Sequence, residues 1–125
     1  MIKKIATSKA PAAIGPYSQA VLAGNILYLS GQIPIVPETG EIAGGTITAQ
    51  TEQVIHNIIE VLNAGGSDLS KVIKTTCYLK SMNDFAEFNE IYGKYFVNKP
   101  ARACVEVSAL PKGALVEIEV IASVL

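Results

Sequence analysis

Two segments of the chain place apolar residues at the spacing of an amphipathic helix. In TAQTEQVIHNIIEVLNAGG, a stripe with a period of about 3.6 residues predicts a helix over residues 48–64, with Thr48 as its N-cap and Gly65 just beyond its end. The stripe consists of Val54, Ile55, Ile58, Ile59 and Leu62. His56 falls almost opposite this stripe, so we expect it to be a solvent-exposed helix residue.

The second helical segment is SMNDFAEFNEIYGKYF, in which aromatic residues repeat with the same period. Phe85, Phe88, Tyr92 and Tyr95 would share one apolar face. Ser81 or Asn83 is the expected cap, because a short polar side chain followed by an acidic residue is typical of helix starts.

Alternating and β-branched runs predict strands before, between and after the helices. These runs cover residues 2–6, 18–22, 26–31, 71–81, 101–107 and 115–124. Gly24 and Asn25 predict a hairpin turn, and residues 32–45 are expected to form a loop. The order β-β-β-α-β-α-β-β predicts an α+β fold, with one mixed sheet of about six strands and two helices packed on one face.

The opposite face of this sheet would be left without a helix. In the last strand, Val116 and Ile118 alternate with Glu117, and in the preceding strand Arg102 and Cys104 alternate with small apolar residues. If these two strands pair, and both apolar sets face the helices, Arg102 and Cys104 lie on the same uncovered face as Glu117. Such a face either meets solvent or packs against other subunits and leaves polar pockets at the seams.

Composition narrows the possible functions. The 125 residues are 50% hydrophobic and 17% charged with a net charge of −1, which predicts one folded domain over residues 1–125 and disfavours nucleic acid as a partner. There is one histidine and no Gly-rich phosphate loop, so we expect no metal, nucleotide or flavin cofactor. The two separated cysteines suggest a reduced, cytoplasmic protein, and no apolar run is typical of a signal peptide or a membrane span.

The polar residues near the end of the chain suit one kind of chemistry. The guanidinium of Arg102 matches a carboxylate through two parallel hydrogen bonds, and a partly buried carboxylate can hold a water and take its proton. Backbone N–H groups at Ser30 and Gly31 could bind the other end of a small ligand. Together these groups suit addition of water to a small 2-imino or 2-keto acid, although they are equally compatible with binding alone.

Several long motifs together resemble the Rid (YjgF) family of enamine/imine deaminases, RidA type. They are APAAIGPYSQAV, LYLSGQIP, AQTEQVIHNI, KTTCYLKSMNDFAEFNEIY and PARACVEVSALPKGALVEIEVIA. The resemblance covers about residues 5–124 and implies a chorismate-mutase-like fold, a homotrimer with an active site at each subunit seam, and no cofactor. It also implies hydrolysis of intermediates such as 2-aminoacrylate and 2-iminobutyrate to 2-keto acids and ammonia.

The resemblance assigns two catalytic residues. Arg102, in PARACVEV, corresponds to the arginine that binds the substrate carboxylate, and Glu117, in VEIEV, corresponds to the acid that orients the attacking water. Cys104 corresponds to a pocket-lining cysteine that need not be a nucleophile.

The remaining site residues are implied as substrate-binding. Ser30 and Gly31 correspond to the backbone corner of the pocket, and Tyr17 to an aromatic residue supplied by the neighbouring chain. Asn89 and Phe85 correspond to pocket residues on the second helix. From the residues alone, Tyr17 and Phe85 could equally be core, and Asn89 an exposed helix residue.

The sequence departs from the family pattern near Arg102. Ala103 stands where serine is common, SALPKG lacks an arginine often found there, and FVNKPAR suggests a shortened loop before Arg102, which bears on substrate breadth. Three alternatives to the deaminase remain: a regulatory trimer that binds 2-keto acids, RNA cleavage, and chaperone-like binding of unfolded chains. The acidic pI of about 5.8 argues against RNA cleavage.

Overall fold

The computed structural model describes residues 1–125, which form two α-helices and eight β-strands. The helices are α1 (Ile47–Ala64) and α2 (Phe85–Tyr95). The strands are β1 (Ile2–Ile5), β2 (Ala20–Ala23), β3 (Ile26–Gln32), β4 (Ile35–Val36), β5 (Glu41–Ile42), β6 (Val72–Leu79), β7 (Ala101–Glu106) and β8 (Val116–Ser123). Neither helix has the length and apolar character needed to cross a membrane.

Six of the strands form one mixed sheet in the order β1-β2-β3-β8-β6-β7. The β6–β7 pair is parallel and every other pair is antiparallel. The predicted α+β fold is therefore confirmed. The only strands that the sequence did not predict are β4 and β5, which pair as a small ribbon inside the expected loop.

The hydrophobic core lies between the helices and one face of the sheet. It is a cluster of 22 buried residues to which both helices contribute. The predicted stripe of α1 is buried apart from Ile59, which is half-buried, and α2 contributes Phe88, Ile91 and Tyr92. The sheet face opposite the helices is called the open face below.

A bulge in β6 decides which of its residues enter the core. The register against β8 shifts between Val72 and Lys74, so that both Val72 and Thr75 face the helices although they are three positions apart. Cys77 and Leu79 follow Thr75 into the core, and the bulged residue Ile73 is 45% exposed. Simple alternation could not choose between the two faces of this strand, because the bulge breaks its period.

The pairing expected for the last two strands is wrong. Strand β6 lies between β7 and β8, and its core residue Thr75 is the register partner of both Arg102 and Val120. Arg102 and Cys104 therefore lie on the helix-covered face, whereas Glu117 is the partner of Tyr78 on the open face. The cause is topological: β6, α2 and β7 form a β-α-β crossover, which makes β7 a parallel neighbour of β6.

Both helix starts differ from the sequence prediction by a few residues. The N-cap of α1 is Thr46, whose Oγ1 accepts from Ala49 N–H at 3.1 Å, and not Thr48. Ser81 does act as a cap, but it caps a short 3-10 turn (Met82–Asp84) that precedes α2. His56 is exposed as predicted, and its Nε2 lies 3.4 Å from Tyr95 Oη on α2.

Candidate active site

Arg102 lies at the edge of the sheet, where its guanidinium rests against α2. One Nη donates to Asn89 Oδ1 at 2.6 Å, and the guanidinium carbon is 4.8 Å from the ring centroid of Tyr92 and 5.6 Å from that of Phe85. These four residues are called the arginine half-site. All three partners are neutral, so they orient the guanidinium without neutralising its charge. The group therefore remains able to bind an anion.

The arginine half-site depends on the spacing of residues along α2. Phe85, Asn89 and Tyr92 are four and three positions apart, which puts them on one side of the helix. Tyr92 is fixed in turn by a 2.7 Å hydrogen bond to Thr75 and by stacking on Phe96, with ring centroids 4.3 Å apart. From the helical period of the sequence, Tyr92 is expected only on the apolar face of α2. Tyr92 lies about one helical turn beyond Asn89, and this spacing could have indicated that Tyr92 also lies beside Arg102.

A cavity of about 500 Å³ opens beside the guanidinium. It is lined by Asn89, Tyr92, Gly93, Phe96, Val97, Lys99, Pro100 and Arg102. No acidic residue contributes to this lining. The cavity is thus a positively charged recess with an aromatic wall.

The two cysteines are register partners next to this half-site. Cys104 is half-buried, and burial raises the pKa of its thiol although the charge of Arg102 acts in the opposite direction. Burial raises the pKa of Cys77 to about 12. Both thiols are therefore neutral near pH 7, which is the wrong state for a nucleophile.

Glu117 lies in a separate cavity of about 490 Å³ on the other side of the sheet. Tyr17, Ser30 and Gly31 line it with Glu117, and these four residues are called the carboxylate half-site. Ser30 and Gly31 sit where the β3–β8 register is irregular, between Leu29 and Gln32. A Cβ at Gly31 would overlap the carboxylate and lie 2.9 Å from Glu117 Cδ, so only glycine lets the acid lie this close to the backbone.

Electrostatics in the carboxylate half-site favour the protonated acid. Burial raises the pKa of Glu117, and the neighbouring Glu119 carboxylate raises it further. A carboxyl group with a raised pKa exchanges a proton more readily near neutral pH than an ordinary glutamate does.

Ser30 is held by bonds within the chain. Its Oγ donates to Ser18 O at 2.6 Å, and its N–H donates to Gln19 O at 3.0 Å. The Ser30 N–H is therefore already satisfied within the chain, contrary to the expectation that it binds the end of a small ligand. The side chain of Gln19 bonds to Thr7, Ala10 and Pro11, and so fixes the segment that carries Tyr17.

The eight residues predicted from the sequence thus fall into two groups. Arg102, Asn89, Phe85 and Cys104 lie together on the helix-covered side, and Tyr17, Ser30, Gly31 and Glu117 lie together on the open side. One chain does not bring Arg102 and Glu117 together, because the sheet separates them. A site that uses both groups requires a second chain.

Comparison with known proteins gives a family match over almost the whole chain. A family profile described as Endoribonuclease L-PSP matches residues 7–124. A protein of Rattus norvegicus named 2-iminobutanoate/2-iminopropanoate deaminase is 51% identical over 121 residues, which is 96% of this chain and 88% of the relative.

Solved structures agree with this match. YyfA from Yersinia pestis, described as a conserved Rid-family protein of unknown function, is 52% identical and superposes with a TM-score of 0.96 over 98% of this chain and 99% of that one. E. coli TdcF, solved with bound serine, is 41% identical and has a TM-score of 0.92 over 97% of this chain and 98% of that one.

Proposed function

The chain belongs to the Rid (YjgF) family, and from this premise we propose that it hydrolyses reactive 2-enamine and 2-imino acids, such as 2-aminoacrylate and 2-iminobutyrate, to 2-keto acids and ammonia. The name of the rat relative, a deaminase of this substrate class, supports the proposal. The serine bound in TdcF carries a carboxylate next to an amino-bearing carbon, an arrangement that a 2-imino acid resembles.

The working site is composite and lies between the chains of a homotrimer. The family resemblance implies a site at each subunit seam, and there the arginine half-site of one chain faces the carboxylate half-site of its neighbour. The separation of Arg102 and Glu117 by the sheet supports this arrangement, because only a second copy can bring the two groups together. Exposed apolar side chains on the open face, such as Tyr28 and Val105, supply a surface for assembly.

The reaction needs a bound carboxylate and an activated water. Arg102 binds the carboxylate of the imino acid through two parallel hydrogen bonds. An enamine substrate first tautomerises to the imine. Glu117 accepts a proton from a water that attacks the imine carbon, and a backbone carbonyl near Cys104 helps to hold that water. The proton taken by Glu117 passes to the imine nitrogen and gives the carbinolamine. The hydroxyl proton of the carbinolamine then also moves to nitrogen as the C=O bond forms, the C–N bond breaks, and ammonia leaves. Free imines already hydrolyse in water, so positioning and proton transfer are sufficient.

The observation that carries the proposal is the environment of Arg102. Neutral partners orient its guanidinium, and an open cavity lies beside it. The test is keto-acid and ammonia release from freshly generated 2-aminoacrylate and 2-iminobutyrate. We expect the protein to accelerate both, and Arg102→Ala to lose about 100-fold in kcat/KM, equivalent to about 3 kcal/mol. Full activity of Arg102→Ala would show that Arg102 does not bind the carboxylate.

Mixed assemblies test the composite site directly. Arg102→Ala and Glu117→Gln chains should each be strongly impaired alone. Co-expression should restore activity at about a quarter of the seams, because a seam works when one chain supplies an intact arginine half-site and its neighbour an intact carboxylate half-site. Mixing Glu117→Gln with Gly31→Ala should restore nothing, because both changes damage the carboxylate half-site. No restoration in the first mixture would place both groups of a working site in one chain.

The principal rival is a regulatory trimer that binds 2-keto acids without turning over imino acids. Tight keto-acid binding with no acceleration of imine hydrolysis would favour this rival.

A further inference from the structure

A second cation lines the cavity beside Arg102. Lys99 contributes to the lining three positions before Arg102, with Pro100 between them. The other lining residues are uncharged. A single carboxylate can be bound by Arg102 alone, so the second positive charge is unused by the proposed reaction.

The backbone at Lys99 is strained. Its φ is 53°, in the left-handed region that glycine and asparagine adopt more easily than lysine, and its N–H donates to Phe96 O at 3.1 Å to close the turn after α2. A non-glycine residue persists in this region when its surroundings fix it there, and such residues cluster at ligand sites. The turn therefore holds a lysine where a glycine would be less strained, at the edge of the cavity that Arg102 lines.

In the single chain, before a neighbour adds the carboxylate half-site, the cavity is larger than a three- or four-carbon acid requires. Its volume of about 500 Å³ lies in the range typical of pockets for larger ligands, about 300–1,000 Å³. A longer substrate could place one charged group on Arg102 and extend a second one along the pocket wall. Lys99 offers three donors on a flexible stem, which suits an anion whose position varies with substrate length.

We propose that Lys99 binds a second carboxylate on the substrate, so that the enzyme accepts 2-imino acids with an anionic side chain, of the 2-iminosuccinate and 2-iminoglutarate class. This inference rests on the proposed function, since it names the substrates of the same site. The reaction stays balanced: one water adds to the imine carbon, the C–N bond breaks, and a 2-oxo dicarboxylate and ammonia leave.

The test compares diacid and monoacid substrates of similar length. An amino-acid oxidase generates 2-iminoglutarate, 2-iminosuccinate or the uncharged-chain 2-iminopentanoate in place, and kcat/KM is measured for each. Lys99→Gln should lose about tenfold on the two diacids, as expected for one charge-assisted hydrogen bond, and keep its activity on 2-iminopentanoate. Lys99→Arg should retain the diacid activity, and Lys94→Gln, an exposed lysine of α2 outside the cavity lining, should behave as wild type.

Binding of the products separates this inference from the proposed function. Calorimetry should show that Lys99→Gln weakens 2-oxoglutarate about tenfold and leaves 2-oxopentanoate unchanged. Equal losses on diacid and monoacid, or no loss on either, would overturn the role of Lys99 while the deaminase activity on 2-iminobutyrate stands. Selective loss of 2-oxoglutarate binding by a protein without any turnover would support diacid recognition and overturn the catalytic function.

Discussion

The contact between Gly31 and Glu117 ties one backbone position to the acid that we place in catalysis. Gly31→Ala should push the carboxylate out of its present position, because the new Cβ would overlap it. We expect a loss of about 100-fold in kcat/KM for 2-iminobutyrate, the size that a displacement of about 1 Å can cause. Gly45→Ala is the matched control, since a Cβ at Gly45 meets nothing within 4 Å. Equal activities of the two variants would remove Glu117 from the mechanism.

The raised pKa of Glu117 makes a prediction for the pH dependence of activity. A general base must be deprotonated, so kcat/KM should fall as the pH falls through this pKa, which lies above the ordinary glutamate value of about 4.3. Rate profiles from pH 4 to pH 8 would test this. A flat acid limb would argue against a base role for Glu117.

The raised pKa of Glu117 also predicts that its ionised carboxylate lowers the stability of the folded protein at neutral pH. A carboxyl group whose pKa is higher in the folded than in the unfolded state contributes fully below its unfolded pKa, and that contribution is lost as the pH rises through the folded pKa. Glu117→Gln should therefore raise the Tm at pH 7, and the gain should shrink towards pH 4. Glu38→Gln, in an exposed loop, should change the free energy of unfolding by less than about 0.5 kcal/mol. A lower Tm for Glu117→Gln at pH 7 would contradict the prediction.

At the scale of single elements, the start of α1 depends on one hydroxyl group. Thr46 Oγ1 accepts from Ala49 N–H, so Thr46→Ala should lower the free energy of unfolding by about 1 kcal/mol. Thr48→Ala lies inside the helix, where alanine has the higher propensity, and should be neutral or slightly stabilising. Urea unfolding of the two variants measures the difference, and the reverse order would restore Thr48 as the cap.

Periodicity predicted most of the elements because each helix and strand buries one face. The apolar stripe of α1 is buried in the core except for Ile59, and so is the apolar alternate set of β8. Capping was less predictable, since Thr46 and Thr48 are the same residue type two positions apart and only the local dihedral angles distinguish them. The ribbon of β4 and β5 was missed because it has two residues in each strand, too few to show a period.

Strand pairing was the step that the sequence could not determine. Alternation correctly separated Arg102 and Cys104 from the small residues of β7, but it could not say which set meets the helices. The usual rule, apolar residues inward, fails here because β7 is an edge strand. Its polar side chains lie at the rim of the core against α2, while Ala103 and Val105 turn to the open face. The residue types of the site were accessible from sequence, and their division into two half-sites was not.

At the scale of the whole molecule, the open face is mixed: it carries charged residues such as Glu117 and Glu119 together with large apolar side chains. Tyr28 and Val105 are 47% and 46% exposed there, and Ile121 is the register partner of Tyr28. Strand β7 is also an edge strand, so its outer edge presents a row of unpaired backbone N–H and C=O groups to solvent unless another surface covers it. Assembly of several copies through this face would bury these side chains and would give each half-site its missing partner.

Assembly through the open face should be sensitive to a single buried charge. Val105→Glu puts a charge in the proposed contact, and burial of an unpaired carboxylate costs several kcal/mol, so the variant should dissociate. Light scattering should give three times the 13.2 kDa chain mass for the wild type and the single chain mass for Val105→Glu. Asn63→Glu, exposed on α1 at the far side of the molecule, should remain trimeric. Because Val105 belongs to neither half-site, dissociation should abolish imine hydrolysis through loss of the seam alone. A monomeric Val105→Glu that kept full activity would show that one chain is a sufficient catalyst.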